Sequence, residues 1–136
     1  MSRKPKLRRI TVGDGIYLWR LDWSYRKTSE VVTPISYDTL YRLICYRDGF
    51  KHSPAIIHFT TWEDAVTGGP LLTGAPFDLD KPDGLRVNLN RPAAIAKIIR
   101  YLKSAGWHPE VDSGKLEIQD GQMLLPRIFD AGQQSN

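Results

Sequence analysis

The first part of the chain alternates between apolar and polar positions with the period of a β-strand. Ile10 and Val12 have polar neighbours, and Gly13-Asp14-Gly15 suits a tight hairpin turn. From Ile16 to Arg26 every second residue is large and apolar, which predicts a strand with one buried face: Tyr17, Trp19, Leu21, Trp23 and Tyr25. Such a row could instead stack single-stranded bases, but the leucine within it favours a core.

The middle of the chain predicts a second hairpin. Ala55–Phe59 is apolar and rich in β-branched residues, which indicates a strand, and Asp48-Gly49 before it indicates a turn. Thr39–Arg47 fits either a helical stripe or a strand, and a hairpin across this turn requires a strand. Thr28–Tyr37 contains Pro34 and is expected to be an edge strand or a loop.

The clearest element is a helix from about Arg91 to Ala105. Asn90 is the expected N-cap, Pro92 suits the first turn, and Gly106 is placed to end the helix in a left-handed conformation. The apolar positions recur at the spacing of one buried helical face: Ile95, Ile98, Ile99 and Leu102.

The segments around this helix complete an α+β fold. Thr67–Gly84 is rich in glycine and proline and predicts a long loop, and Leu85–Leu89 alternates as a short strand. Leu116–Leu125, with Asp120-Gly121 at its centre, predicts a final hairpin. We therefore expect a largely antiparallel sheet of five to seven strands with one principal helix, about 91–105, packed on it.

Length and cysteine content suggest one domain in a reducing compartment. The chain has 136 residues, and we expect a domain over 10–129 between a basic flexible tail, 1–9, and a second flexible tail, 130–136. The single cysteine, Cys45, cannot form a disulfide within the chain. The basic N-terminus leads into Ile10 rather than an apolar signal core, and no run is long enough to cross a membrane. We expect a cytoplasmic protein.

Positive charge is concentrated in two places. Five of the 19 lysines and arginines precede the first acid, Asp14, which leaves 14 basic against 15 acidic residues in the rest of the chain. The second place is the predicted helix, which contains no acid. An all-basic face can contact phosphates or an acidic protein. Equally, the loop aspartates Asp78, Asp80 and Asp83 could fold back over it, or it could simply be solvated. Cations near a helix C-terminus also complement its dipole.

No motif indicates catalysis, a cofactor or a metal. The phosphate-loop, zinc-protease and nucleophile-elbow motifs are absent. Three loop aspartates fail the calcium-loop spacing, since Pro82 and Leu89 occupy the fifth and twelfth positions: Asp78, Asp80 and Asp83. Cys45 and His58 lie on neighbouring predicted strands, where a nucleophile pair is geometrically conceivable, but no third group orients it. These features favour a binding module over an enzyme.

Two short motifs carry a resemblance. Tyr17-Leu18-Trp19-Arg20-Leu21 near the start, and Gly106-Trp107-His108-Pro109 after the basic helix, resemble a group of small bacterial hypothetical proteins found among mobile gene cassettes. The resemblance implies a Tyr-x-Trp strand, a few further strands and a closing helix. It implies no activity.

We therefore predict a non-enzymatic binding module. A protein partner is the first expectation because the chain beyond its tail is near neutral, and such a module should expose an apolar patch rimmed by polar groups. Association of like chains is left open. The alternative is a nucleic-acid-binding protein, which should carry its tail and helix cations on one surface. The candidate interaction residues are Arg8, Arg9, Arg91, Lys97, Arg100 and Lys103.

Overall fold

The computed structural model describes residues 6–27, 37–62, 71 and 86–129. Within them the chain forms a five-stranded sheet and two helices. The strands are β1 (Arg8–Val12), β2 (Gly15–Lys27), β3 (Tyr37–Arg47), β4 (Phe50–Trp62) and β5 (Leu116–Ile118). The helices are α1 (Pro92–Ser104) and α2 (Leu125–Ile128), with a 3₁₀ turn at Gly121–Met123 before α2. The predicted α+β class with a mostly antiparallel sheet is confirmed.

The first four strands form a meander in chain order. Each pairs antiparallel with its neighbour, and β5 adds to the far edge in parallel with β4. The predicted turns are present, with Gly13 and Gly49 at φ +62° and +88°, where a side chain would be strained. β1 begins at Arg8, so the last two residues of the predicted basic tail, Arg8 and Arg9, belong to the sheet.

One face of the sheet forms the core beneath α1. The alternation predicted for β2 is confirmed for Tyr17, Trp19 and Leu21, which are buried, whereas Trp23 is 45% exposed. The apolar face of α1 is fully buried against them, as its spacing predicts: Ile95, Ile98, Ile99 and Leu102. β1 adds Val12 to this core, and β3 and β4 supply six further side chains: Tyr41, Leu43, Cys45, Ala55, Ile57 and Phe59.

The C-terminal end of α1 agrees with the prediction from the sequence, and its N-terminal cap does not. Gly106 has φ +111°, Trp107 N–H donates to Leu102 O at 2.9 Å, and Gly106 N–H donates to Lys103 O at 3.3 Å, which together satisfy the last carbonyls. The prediction of Asn90 as N-cap is wrong, because the cap is Arg91, which makes no side-chain cap bond. The Asn88 side chain instead accepts the Asn90 N–H at 2.9 Å.

The predicted strand at Leu85–Leu89 is also wrong. Residues 86–88 have no regular structure, although Val87 and Leu89 are fully buried. Leu89 N–H donates to Leu71 O at 2.7 Å. The apolar alternation therefore reflects two side chains anchored in the core from an irregular segment.

The predicted final hairpin is replaced by β5, the 3₁₀ turn and α2. Asp120 adopts a left-handed conformation (φ 54°), and Gly121 then lies directly against β4, where a Cβ would overlap Ile57 Cγ2. Pro126 lacks an amide donor, which disfavours a ladder strand and suits the first turn of α2. Gln122 Oε1 accepts the Thr60 N–H at 3.0 Å and so takes the place of a strand partner.

Several predictions concern residues outside the described ranges. These are the edge strand or loop at 28–36, the long loop at 67–84 apart from Leu71, the first five residues and the tail at 130–136. In the parts of the chain that are described, no helix is both long and apolar enough to cross a membrane.

Candidate nucleic-acid interface

Arg8 lies where β1 meets the start of α1. It shares the helix-side face of the sheet with Ile10, and its guanidinium carbon lies 4.6 Å from the centre of the Trp19 ring. Its Nη1 donates to Asn90 O at 3.3 Å. A stacking contact and a hydrogen bond thus hold this exposed cation beside the first turn of the helix. Arg9 is exposed on the other face of the sheet, opposite Leu18.

The cations of α1 and of its N-cap, Arg91, lie at the surface of the helix. Arg91 and Arg100 are exposed, and Lys97 and Lys103 are half-buried. Lys97 Nζ lies 5.3 Å from the Phe129 ring, and Lys103 Nζ lies 6.0 Å from the Tyr17 ring. Lys97, Arg100 and Lys103 are spaced by three residues, which makes successive side chains neighbours on the helix surface. The aliphatic parts of Lys97 and Lys103 therefore pack against aromatic rings, and their ammonium groups stay at the surface.

Arg47 adds a further cation near the C-terminal end of α1, and it is not among the candidate residues predicted from the sequence. Its Nη1 donates to the Tyr17 hydroxyl at 3.1 Å, and this hydrogen bond raises the pKa of Arg47 above its ordinary value. The ring of Tyr17 is therefore close to the cations of both Arg47 and Lys103. Strand alternation could have found Arg47, since it continues the inward-facing positions of β3 to the end of the strand.

These cations form what we call the basic surface: Arg8, Arg47, Arg91, Lys97, Arg100 and Lys103. Residues 86–109 contain no aspartate or glutamate. Within the described residues, no carboxylate forms an ion pair with any member of the basic surface. Asp14 and Glu110 act on Arg47 through longer-range attraction. As far as the described ranges go, the positive charge along α1 is therefore not neutralised by a paired carboxylate.

The opposite face of the sheet carries charges that pair with one another. Arg42 Nη2 donates to Asp22 Oδ2 at 2.8 Å. His58 Nε2 and Glu117 Oε2 are 2.6 Å apart, and Lys115 Nζ lies 3.3 Å from Glu117 Oε1. The hydrogen bond with His58, followed by the interaction with Lys115, lowers the pKa of Glu117. Asp22 and Glu117 are therefore already paired with cations on the side of the sheet away from α1.

The conceivable cysteine–histidine pair is ruled out by the sheet register. Cys45 pairs with Ala55 and lies in the core, where burial raises its pKa to about 12. His58 pairs with Arg42, which places it on the other face. A thiol that stays protonated cannot act as a nucleophile at neutral pH. In the described ranges no group of three His, Cys, Asp or Glu side chains could hold a metal ion.

The largest exposed apolar side chains belong to separate segments. Among the described residues they are Leu7, Trp23, Val111 and Met123. Leu7 precedes β1, Trp23 lies in β2, and the other two follow α1 at different points. The cations, in contrast, are brought to one surface from three parts of the chain.

Comparison with protein families, with curated proteins and with solved structures found no match. The resemblance to small bacterial proteins therefore stays a prediction, and a function has to be inferred from the residues themselves.

Proposed function

We propose that this chain is a non-enzymatic module that binds the phosphate backbone of a nucleic acid through the basic surface. The observation that carries the proposal is the position of Arg8. β1 delivers this cation to the start of α1, beside Arg91, so that cations distant in sequence share one surface. Of the two described arginines of the predicted tail, Arg8 meets the expectation for a nucleic-acid binder and Arg9, on the opposite face, does not. The position of Arg8 supports the nucleic-acid alternative ahead of a protein partner.

The separation of charge supports the proposal physically. The near-neutral charge of the chain beyond its tail favoured a protein partner, but it includes a cluster of cations around α1, and two of the acids, Asp22 and Glu117, are paired on the far side of the sheet. The 13 residues of α1 span about 20 Å at about 1.5 Å per residue. One strand of a duplex places about six phosphates along that length, at about 3.4 Å each. Contacts between these cations and phosphates would release condensed counterions and so drive binding.

The proposed setting is the cytoplasm of a bacterium. The lone buried Cys45 suits a reducing compartment, and the Tyr17-x-Trp19 and Gly106-Trp107 motifs resemble bacterial proteins.

A protein partner is the second candidate, on a different surface. On the face of the sheet away from α1, Leu18 lies opposite Tyr46, and Ile44 lies opposite Ile56. Leu18, Tyr46 and Ile56 are only half-buried. A partner that docks there, including a second copy of the chain, would be insensitive to the charges of α1.

Neighbouring arginines on opposite faces allow a matched test. We would measure the fluorescence anisotropy of a labelled oligonucleotide titrated with the full chain, and compare Arg8→Gln, Arg9→Gln and Arg100→Gln. Each variant removes one positive charge, but only Arg8 and Arg100 belong to the basic surface. The proposal predicts that Arg8→Gln and Arg100→Gln weaken binding by several-fold and that Arg9→Gln has a much smaller effect.

Two outcomes would overturn the proposal. One is the absence of binding at low salt, and the other is an equal effect of Arg8→Gln, Arg9→Gln and Arg100→Gln. Because Arg8 also holds β1 to α1, urea unfolding of each variant is measured alongside. Arg100 is exposed, so its variant tests charge without disturbing the core.

A further inference from the structure

We infer that the nucleic acid bound by this chain is single-stranded and that one of its bases stacks on Trp23. This inference rests on the proposed function and adds the class of nucleic acid. Three aromatic side chains of the core, Tyr17, Trp19 and Trp107, are almost fully buried, as expected for structural residues. Trp23 belongs to the same alternating row of β2 but is 45% exposed.

The register places Trp23 at the same end of the sheet as the start of α1. β1 begins with Arg8 opposite Trp19, and Arg8 reaches Asn90 just before the helix. β2 continues beyond this point, and Trp23 follows Trp19 by four residues, or about 13 Å along a strand. Its indole faces the helix side of the sheet, as those of the buried members of the row do. Among the described residues, the cations of α1, then Arg8, then Trp23 therefore follow one another on the helix side of the sheet.

This order suits a single strand better than a duplex. The bases of a single strand are free to stack on an aromatic side chain, and every base offers a flat face for the purpose. In a duplex the bases are already stacked on one another, and only the phosphates and groove edges are accessible. Binding of the backbone to the basic surface would bring a base of the same strand to Trp23. The strand would then gain stacking energy that a duplex cannot gain.

The test compares three anionic probes on the full chain. These are a labelled oligothymidylate, a DNA duplex of equal length, and inorganic polyphosphate, which carries charge but no bases. Polyphosphate binding is measured by its competition with the labelled oligothymidylate. The variants are Trp23→Ala and Trp23→Phe, with Met123→Ala as the control because Met123 is 71% exposed in the 3₁₀ turn.

We expect Trp23→Ala to weaken oligothymidylate binding by about fivefold or more, the effect of losing one base–aromatic stack. Trp23→Phe should recover most of that affinity, and Met123→Ala should not change it. The affinity for duplex should be the same in all variants. The Trp23→Phe rescue also separates a stacking role from loss of the fold, which would weaken binding of every probe.

The outcomes separate this inference from the function on which it rests. If none of the three probes binds, the proposed function fails. If all three bind equally well and Trp23→Ala changes none of the affinities, the proposed function stands and the single-strand inference is wrong. A preference for duplex would likewise contradict the inference. Selective loss of oligothymidylate binding in Trp23→Ala, with rescue by phenylalanine, would support both.

Discussion

Replacement of Gly121 by alanine tests how the C-terminal segment closes the sheet. The 3₁₀ turn that begins at Gly121 lies against β4, where the backbone approaches too closely for a side chain. An added Cβ would overlap Ile57 Cγ2 and would lie 3.0 Å from Phe59 Cε1 and 3.1 Å from His58 O. Gly121 is not among the positive-φ residues, so the predicted cost is steric rather than conformational.

The expected loss follows from two opposing effects. Extra atoms forced into a packed site cost about 1–3 kcal/mol. Alanine also restricts the unfolded chain more than glycine does, which returns about 0.4–1 kcal/mol. The neighbours at 3.0 and 3.1 Å are a ring of the core and a strand carbonyl, neither of which can move freely. We therefore expect Gly121→Ala to lower the free energy of unfolding by about 1–2 kcal/mol.

Urea unfolding followed by far-UV circular dichroism measures this loss. With a slope of about 2 kcal/mol per molar urea, the midpoint should fall by roughly 0.5–1 M. Ile57→Ala removes the Cγ2 atom that the new methyl group would meet. In an Ile57→Ala background Gly121→Ala should cost at least about 0.5 kcal/mol less than in the wild type, as a coupled pair requires. An unchanged midpoint for Gly121→Ala, or strict additivity of the two substitutions, would refute the steric account.

Three further predictions concern the core and the paired charges. Cys45, with a pKa of about 12, should react with a thiol reagent only at the rate of global unfolding, and rapid labelling of the native protein would contradict its burial. Trp107→Phe removes the hydrogen bond from Nε1–H to Ser53 O (3.1 Å) and should lower the free energy of unfolding in urea by about 1–3 kcal/mol. An unchanged free energy of unfolding would show that this bond does not stabilise the fold. The pKa of Glu117 is lowered from its ordinary 4.5, first by the hydrogen bond with His58, so its contribution to stability is complete above about pH 4.5 and is lost as the pH falls through the lower folded value. Glu117→Gln should therefore be less stable than the wild type at neutral pH, with a difference that shrinks in acid; a difference independent of pH would count against the interaction.

The elements that the sequence predicted well are those with local signals. The alternation of Ile16–Arg26 and the helical spacing of Ile95–Leu102 each lie within one segment of the chain and indicate one buried face of that segment. The hairpin turns at Gly13 and Gly49 follow from residues that tolerate positive φ. Thr39–Arg47 was ambiguous by itself and became a strand only because its neighbour was one. Consistency between adjacent elements therefore contributed as much as periodicity did.

The elements that the sequence predicted wrongly depend on contacts distant in the chain. Leu116 and Ile118 alternate in the same way whether they pair within a hairpin or in parallel with β4. What decides between these is the fit of Gly121 against Ile57, which no local pattern reveals. Leu89 is likewise buried although it belongs to no strand, because its side chain packs in the core and its N–H donates a hydrogen bond to Leu71 O.

The candidate site was predicted in part. The basic residues of α1 were evident from the sequence because they lie on one continuous helix. The sequence predicts Arg8 and Arg9 as charges of one tail, but both belong to β1, and strand alternation places them on opposite faces of the sheet. The exposure of Trp23 could not be predicted from the alternation, which places it in the same row as the buried Trp19 and Leu21.

The salt dependence of binding to oligothymidylate, in the wild type and in Arg100→Gln, tests the central claim most directly. The logarithm of the binding constant should fall linearly with the logarithm of salt concentration, with a slope of about −3 to −4 if most cations of the basic surface meet phosphates of a single strand. Loss of one such contact in Arg100→Gln should make the slope shallower by about 0.7. Absence of binding at low salt, or the same slope in both proteins, would contradict the claim that this surface binds a nucleic-acid backbone.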